Sequence, residues 1–289
     1  MDSSTPKVWL ITGCSAGFGI SIARAVLAHG HYVIASSRNP SKTPELVEEV
    51  TKQGGHWITL DVTSPAPEIN QIIDDATKLY GRLDVVVNNA GFAVVGAVED
   101  IDETTAKAQF DTNVFGVLKV TQAVLPTMRA AKAGTIVNIG SVAGLRAPPA
   151  VSLYAASKHA LEAISESLSQ ELVPFGIRVL MVEPGPFRTN FLGRGAVSYQ
   201  GPSDSYRDGP VQKIVQHLEN EHGTQPGDPV KAAERIFEVV LGVGMAAGKK
   251  EYLRLVLGNR SVDAVIEKLD RVRENILALE DISRSADFD

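Results

Sequence analysis

The side chains whose types and spacing could do chemistry lie in residues 140–159, which read GSVAGLRAPPAVSLYAASKH. Tyr154 and Lys158 are four positions apart in an Ala- and Leu-rich run, a spacing that puts both on one face of a helix. A phenol is a weak acid, with a usual pKa of about 10. A nearby ammonium favours the phenolate and lowers that value. The pair therefore predicts a tyrosine that exchanges a proton with an alcohol or ketone near neutral pH. Ser141 follows the apolar run 135–139, read as a strand, and its hydroxyl is suited to hydrogen-bond the same substrate oxygen. A Tyr–Lys pair at this spacing is most often a surface pair, and serines are common at strand ends. The reading gains weight only if the rest of the chain builds a cofactor site.

The elements that would position these residues begin at the N-terminus. Residues 7–12 (KVWLIT) read as a buried strand, 13–19 (GCSAGFG) as a glycine-rich turn, and 20–29 as a helix. Strand, glycine turn and helix together make a phosphate-binding entry, with backbone N–H groups and positive potential at the helix N-terminus. The spacing is TGxxxGxG, not GxGxxG. Cys14 reads as a packing residue. The second strand, 32–36, ends in Ser-Ser-Arg-Asn-Pro with no acid to bind a ribose 2′-hydroxyl. Arg38 there can accept a 2′-phosphate, which predicts NADP(H) over NAD(H). Asp61 ends the strand 56–60, where it could receive an adenine amino group or cap the helix 67–80, the latter being commoner. The continuous apolar run 83–87 indicates a sheet buried on both faces. Strands alternating with helices predict a parallel doubly wound sheet.

Residues 103–130 read as one long helix with Asn113 inside it, 153–173 as the helix of Tyr154 and Lys158, and 177–182 as the sixth strand. Residues 190–227 are long for a connector and read as a lid, helical at 210–222. Phe191, Leu192, Tyr199 and Tyr206 could line an apolar pocket with Val94, Val95, Leu145 and Leu153. A helix at 228–240, a last strand at 251–257 and an amphipathic helix at 261–279 follow. The apolar content of 44% over 289 residues supports a sizeable core, and the net charge of −6 gives no sign of nucleic-acid binding. The single cysteine and the polar start, MDSSTPK, predict a reducing, cytoplasmic setting. No apolar run reaches membrane-span length. His217 and His222 are too isolated to suggest a metal site.

Thr12–Gly19, NNAG at 88–91, Asn113, Ser141, YAASK at 154–158 and Pro184-Gly185 occur in that order. On these motifs the chain resembles the short-chain dehydrogenase/reductase family over residues 7 to 190. Beyond that point it is most similar to hydroxysteroid- and retinol-type members and ketoreductases. The resemblance implies a single Rossmann-like α/β domain over 1–289, with seven parallel strands in the order 3-2-1-4-5-6-7, a lid at 190–227 and a helical extension at 258–289. It implies Tyr154 as general acid/base, and Lys158 as the group that lowers its pKa and holds the nicotinamide ribose. Ser141 would orient the carbonyl, and Asn113 would support a water-linked proton relay. Gly13, Ser15, Phe18 and Gly19 match the diphosphate loop, and Asp61 and Val62 the adenine contacts. Asn88 and Gly91 match the ribose side, and Pro184, Gly185 and Thr189 the nicotinamide side. The implied activity is NADP(H)-dependent interconversion of a ketone or aldehyde with an alcohol. Non-redox dehydration, isomerisation or cyclisation on the same fold, or cofactor sensing without turnover, are the alternatives. Homodimers or homotetramers through the helices at 103–130 and 153–173 are implied as well.

Overall fold

A computed structural model describes residues 5–193 and 196–288. The main sheet is wholly parallel and contains seven strands: β1 (Val8–Ile11), β2 (Tyr32–Ser37), β3 (His56–Thr59), β4 (Val85–Asn88), β6 (Gly134–Ile139), β7 (Ile177–Pro184) and β9 (Arg254–Leu257). Their spatial order is β3-β2-β1-β4-β6-β7-β9. This is the expected order; the numbering differs because two short strands, β5 (Ala93–Val95) and β8 (Val197–Tyr199), pair in parallel as a separate sheet.

Side chains alternate across the central strands, as a pleat buried on both faces requires. Trp9 and Ile11 of β1 share one core with Val85 and Val87 of β4 and Leu180 and Val182 of β7. Helices α1 (Gly17–Ala28) and α8 (Pro229–Leu241) supply its other wall, where Phe237 stacks on Trp9 at 6.0 Å. Val8, Leu10, Val86 and Ile136 point the other way, into a core shared with α3 (Ala66–Tyr80) and α5 (Val117–Ala131). Helix α2 (Pro44–Lys52) packs beside β3, and α6 (Ser152–Glu171) lies along β7.

The expected helix over 103–130 is interrupted. It consists of α4 (Glu103–Phe110), a π-helical turn (Asp111–Gly116) and α5. After β7 come β8 and α7 (Pro210–Glu221), then α8, β9, α9 (Asn259–Ala278) and α10 (Glu280–Arg284). Among the described residues no helix is long and apolar enough to cross a membrane.

Candidate active site

The candidate site lies at the carboxyl ends of β1, β4, β6 and β7, where an open parallel sheet leaves its crevice. The glycine-rich turn forms its floor. Gly13 has φ of +72°, and a Cβ on it would stand 2.8 Å from the Ala90 Cα, so only glycine fits between β1 and the loop after β4. Gly19 is inside α1, where a Cβ would meet the Gly13 carbonyl at 2.5 Å. Thr12 and Asn89 fasten the two loops together. Asn89 Nδ2 donates to the Thr12 and Gly13 carbonyls at 2.8 and 3.1 Å, and Thr12 Oγ1 accepts from the backbone N–H groups of Asn89 and Ala90. The motifs Thr12–Gly19 and NNAG include both residues, but sequence reasoning gave neither a role. α1 begins at Gly17 with no side-chain cap and no acid in its first turn, so no cap side chain claims its first N–H groups. Ser15 is exposed beside them, and Phe18 packs edge-on against Phe187.

Ser141, Tyr154 and Lys158 converge above this floor. Ser141 sits just beyond β6 and caps a short turn, its Oγ accepting from Ala143 N at 3.1 Å. It lies within hydrogen-bonding reach of the Tyr154 hydroxyl. Lys158 is buried, with Nζ donating to the Ile139 carbonyl at 2.8 Å and lying 5.8 Å from the Tyr154 ring centre. Asn113 joins them from the π-helical turn. A Cβ on Gly91 would stand 3.1 Å from Asn113 Oδ1 and 3.8 Å from Lys158 Nζ, so the NNAG loop passes between the two. Asn113 accepts from Phe92 N and donates to the Phe92 carbonyl and to Ser157 Oγ. Gln109, one turn earlier, is likewise spent on the backbone of this loop. Two buried amides, Gln109 at the end of α4 and Asn113 in the widened turn, thus hold β5 and its approach.

The electrostatics depart from the sequence expectation. Burial pushes the Tyr154 phenol up to about 12, with the Ser141 hydrogen bond opposing it. The ammonium does not reverse this, because burial also lowers Lys158 itself, to about 8, against the pull of Glu162. In the protein alone, Tyr154 is a protonated phenol across the neutral range. Behind Lys158 lies an acidic pair that sequence reasoning also missed. Glu162 follows Lys158 by one helical turn, and Glu183, next to last in β7, is fully buried. Burial and the Glu162 charge raise Glu183 to about 8, while burial also raises Glu162 and Arg254 opposes it. Arg254 Nε stands 3.1 Å from Glu162 and 3.5 Å from Glu183. A carboxylate in the apolar run IRVLMVEP was its signal.

The cofactor candidates fall into two groups. Arg38 is exposed just past β2 and makes no hydrogen bond or ion pair among the described residues, and the neighbouring Ser37 accepts from Trp57 Nε1. Thr189 lies against the glycine turn, its Cβ 3.5 Å from where a Gly17 Cβ would be. Thr189 also caps the short turn 190–192, its Oγ1 accepting from Phe191 N at 3.2 Å. Others have committed side chains. Asn88 is buried, donating to Thr121 and Asn138, and Val62 packs on Gly116. Asp61 closes a turn on Thr63 and does not cap α3, whose N-cap is Pro65. Pro184 ends β7 buried, and Gly185 donates to the Leu257 carbonyl and packs on Ser261. Cys14 is buried, its thiol pushed up to about 12 by burial, as suits packing.

The segment after β7 contributes to an apolar cluster that includes Tyr154. Val95, Phe191, Leu192, Tyr199 and Tyr206 belong to the same cluster, and the Phe191 ring lies 6.0 Å from that of Tyr154. Val94, Leu145 and Leu153 lie outside that cluster. Backbone pairing of β5 with β8, and a bond from Gly96 N to the Ala150 carbonyl, tie the segment after β7 and the loop before Tyr154 to β5 and the residue that follows it.

Residues 7–196 match the family model described as short chain dehydrogenase. A 3-ketodihydrosphingosine reductase from Bacteroides thetaiotaomicron is 37% identical over 223 residues, covering 76% of this chain and 80% of that one. An NADPH-dependent 3-dehydrocapnine reductase from Ornithobacterium rhinotracheale is 31% identical over 246 residues, covering 83% and 81%. The crystal structure of a short-chain dehydrogenase from Streptomyces avermitilis superposes with a TM-score of 0.88 at 40% identity, covering 99% of this chain and all of that one. With the parallel sheet, the glycine turn and the Ser-Tyr-Lys-Asn cluster in one crevice, the chain belongs to the short-chain dehydrogenase family of oxidoreductases.

Proposed function

We propose that this protein is an NADP(H)-dependent reductase of an apolar ketone or aldehyde, with Tyr154 as the proton donor. The observation that carries the reading is the meeting of Ser141, Tyr154, Lys158 and Asn113 beside the uncapped start of α1, under an apolar lid. The residues fit a dinucleotide. Free N–H groups of α1 suit a diphosphate. Arg38, at a strand end without an acid, suits a 2′-phosphate, and the relative from Ornithobacterium rhinotracheale is NADPH-dependent by name. Thr189 and Lys158 would hold the nicotinamide riboside end.

When bound, the nicotinamide supplies the hydride, or accepts it in the reverse direction. The chain does the rest. Ser141 and Tyr154 fix the carbonyl oxygen, and a phenol with its pKa pushed to about 12 keeps its proton until negative charge develops on that oxygen. Lys158, held by Ile139, places positive charge behind the phenol and stabilises the tyrosinate left after donation. The lid from 190 to 227 excludes water and presents Phe191, Leu192 and Tyr199 to an apolar substrate.

The test is reduced-nicotinamide consumption with a panel of apolar ketones and aldehydes. Tyr154→Phe should cut turnover by about 10³-fold or more while dinucleotide affinity stays within a few-fold. Retained turnover in that variant would falsify the proton-donor role.

A further inference from the structure

The last long helix leaves the body of the molecule. α9 buries Ser261 and Val265 near its start, but every residue from 269 to 279 is exposed. Three turns of helix with nothing to pack on gain little stability in water. The same stretch is patterned for burial. Val262, Val265, Leu269, Val272, Ile276 and Leu279 follow one another at alternating spacings of three and four, the repeat of a coiled-coil seam. Val265 meets the body, whereas Leu269, Ile276 and Leu279 are 58%, 62% and 55% exposed.

The flanking charges choose the occupant. Residues 259–288 carry seven acidic against five basic side chains, a balance that disfavours an anionic membrane surface. A parallel pair of such helices would set Lys268 against Arg273 of the partner subunit, like against like. The antiparallel arrangement seats Leu269 on Leu279 of the partner subunit and Val272 on Ile276 of the partner subunit. It also brings Arg273 beside Glu280 of the partner subunit, twice by symmetry. Arg273 has no ion pair among the described residues, and Glu280 holds only the exposed Arg284. The surface is self-complementary, as a twofold contact requires.

We propose that α9 pairs antiparallel with α9 of a second copy of this chain, burying the 269–279 seam. The contact is separate from the catalytic crevice.

Cys14, the only cysteine, is buried, so introduced thiols report cleanly. The full-length Val272→Cys/Ile276→Cys variant should give a covalent dimer on mild oxidation, and neither single variant should. Single variants that cross-link as readily as the double would overturn the antiparallel register. A double variant that stays monomeric on a denaturing gel would overturn the pairing. In sedimentation equilibrium, Ile276→Glu should weaken one association step by about a hundredfold or more, since two buried isoleucines are lost per contact. Arg273→Glu should weaken it about threefold or more, and Arg273→Glu/Glu280→Arg should restore it. Unchanged association in Ile276→Glu overturns the proposal. So does an Ile276-dependent binding of the chain to phosphatidylcholine–phosphatidylserine vesicles without cross-linking. Val272, Arg273 and Ile276 are exposed and Glu280 is half-buried, so the folded body serves as control through its unaltered melting temperature.

Discussion

Glu183 and Glu162 face each other in the protein interior with one arginine between them and solvent. Like-charged carboxyls at this range cannot both ionise, so Glu183 keeps a proton that bonds to Glu162. Glu166 and His159 complete the charged surroundings, and Lys158 lies one turn away. The unfolded chain releases this proton near the usual carboxyl value of 4.5, and the folded protein holds it to about 8. The folded state therefore binds more protons over that window. Stability from this group is fully present below 4.5 and is lost as pH rises through about 8. Lys158, lowered to about 8, acts with the opposite slope only between there and its usual 10.5. Glu183→Gln keeps the volume and the donor. Its melting temperature should match the parent near pH 5, exceed it near pH 8 and vary less between them. Two superimposable melting profiles would remove the buried proton from the account. At Arg38 the expectation concerns affinity. Arg38→Ala should weaken NADPH binding about tenfold or more and NADH binding hardly at all, as fluorescence titration would read. Equal losses would sink the 2′-phosphate role.

Among the elements, the loop before α6 carries an unusual residue. Ala150 is buried with φ of +65°, a left-handed conformation costing an alanine roughly 1–2 kcal/mol. Its carbonyl accepts from Gly96 N, which fixes the loop that delivers Tyr154. Ala150→Gly should be nearly neutral, because relief of strain is offset by about 0.8 kcal/mol of lost methyl burial and by unfolded-state entropy. Ala150→Val should destabilise by roughly 2 kcal/mol or more, since a β-branch is least tolerated there. Chemical denaturation distinguishes the two. Most elements were legible: the strand–glycine turn–helix start, the apolar central strands and the Tyr–Lys spacing on α6 all rest on local pattern. The π-helical turn was not. One extra residue per turn leaves the apolar pattern over 103–130 almost unchanged, and the widening is held by the Phe92 backbone, which is remote in sequence from the turn's own residues. The charge on the tyrosine was misjudged for a related reason. Spacing shows that a lysine is near, but burial, which decides the direction, is a property of the assembled site.

At the scale of the molecule, the order of the main sheet follows from the alternation of strands and helices and the preference for right-handed crossovers. The β5–β8 sheet was invisible because each partner has three residues and they lie about a hundred positions apart. That small sheet has a consequence for how such a chain can diversify. Its first strand belongs to the body and its second to the lid, and the next residue of the body, Gly96, is bonded to Ala150 beside the tyrosine loop. The proposed lid is thus not a cassette bounded by its own two ends. A lid exchanged between relatives brings a foreign β8 to a resident β5, and its mismatch is transmitted to the residue pair that aims Tyr154. Specificity can change by point substitution within the lid, but wholesale replacement must carry residues 93–97 and the 148–151 loop with it as one inherited unit.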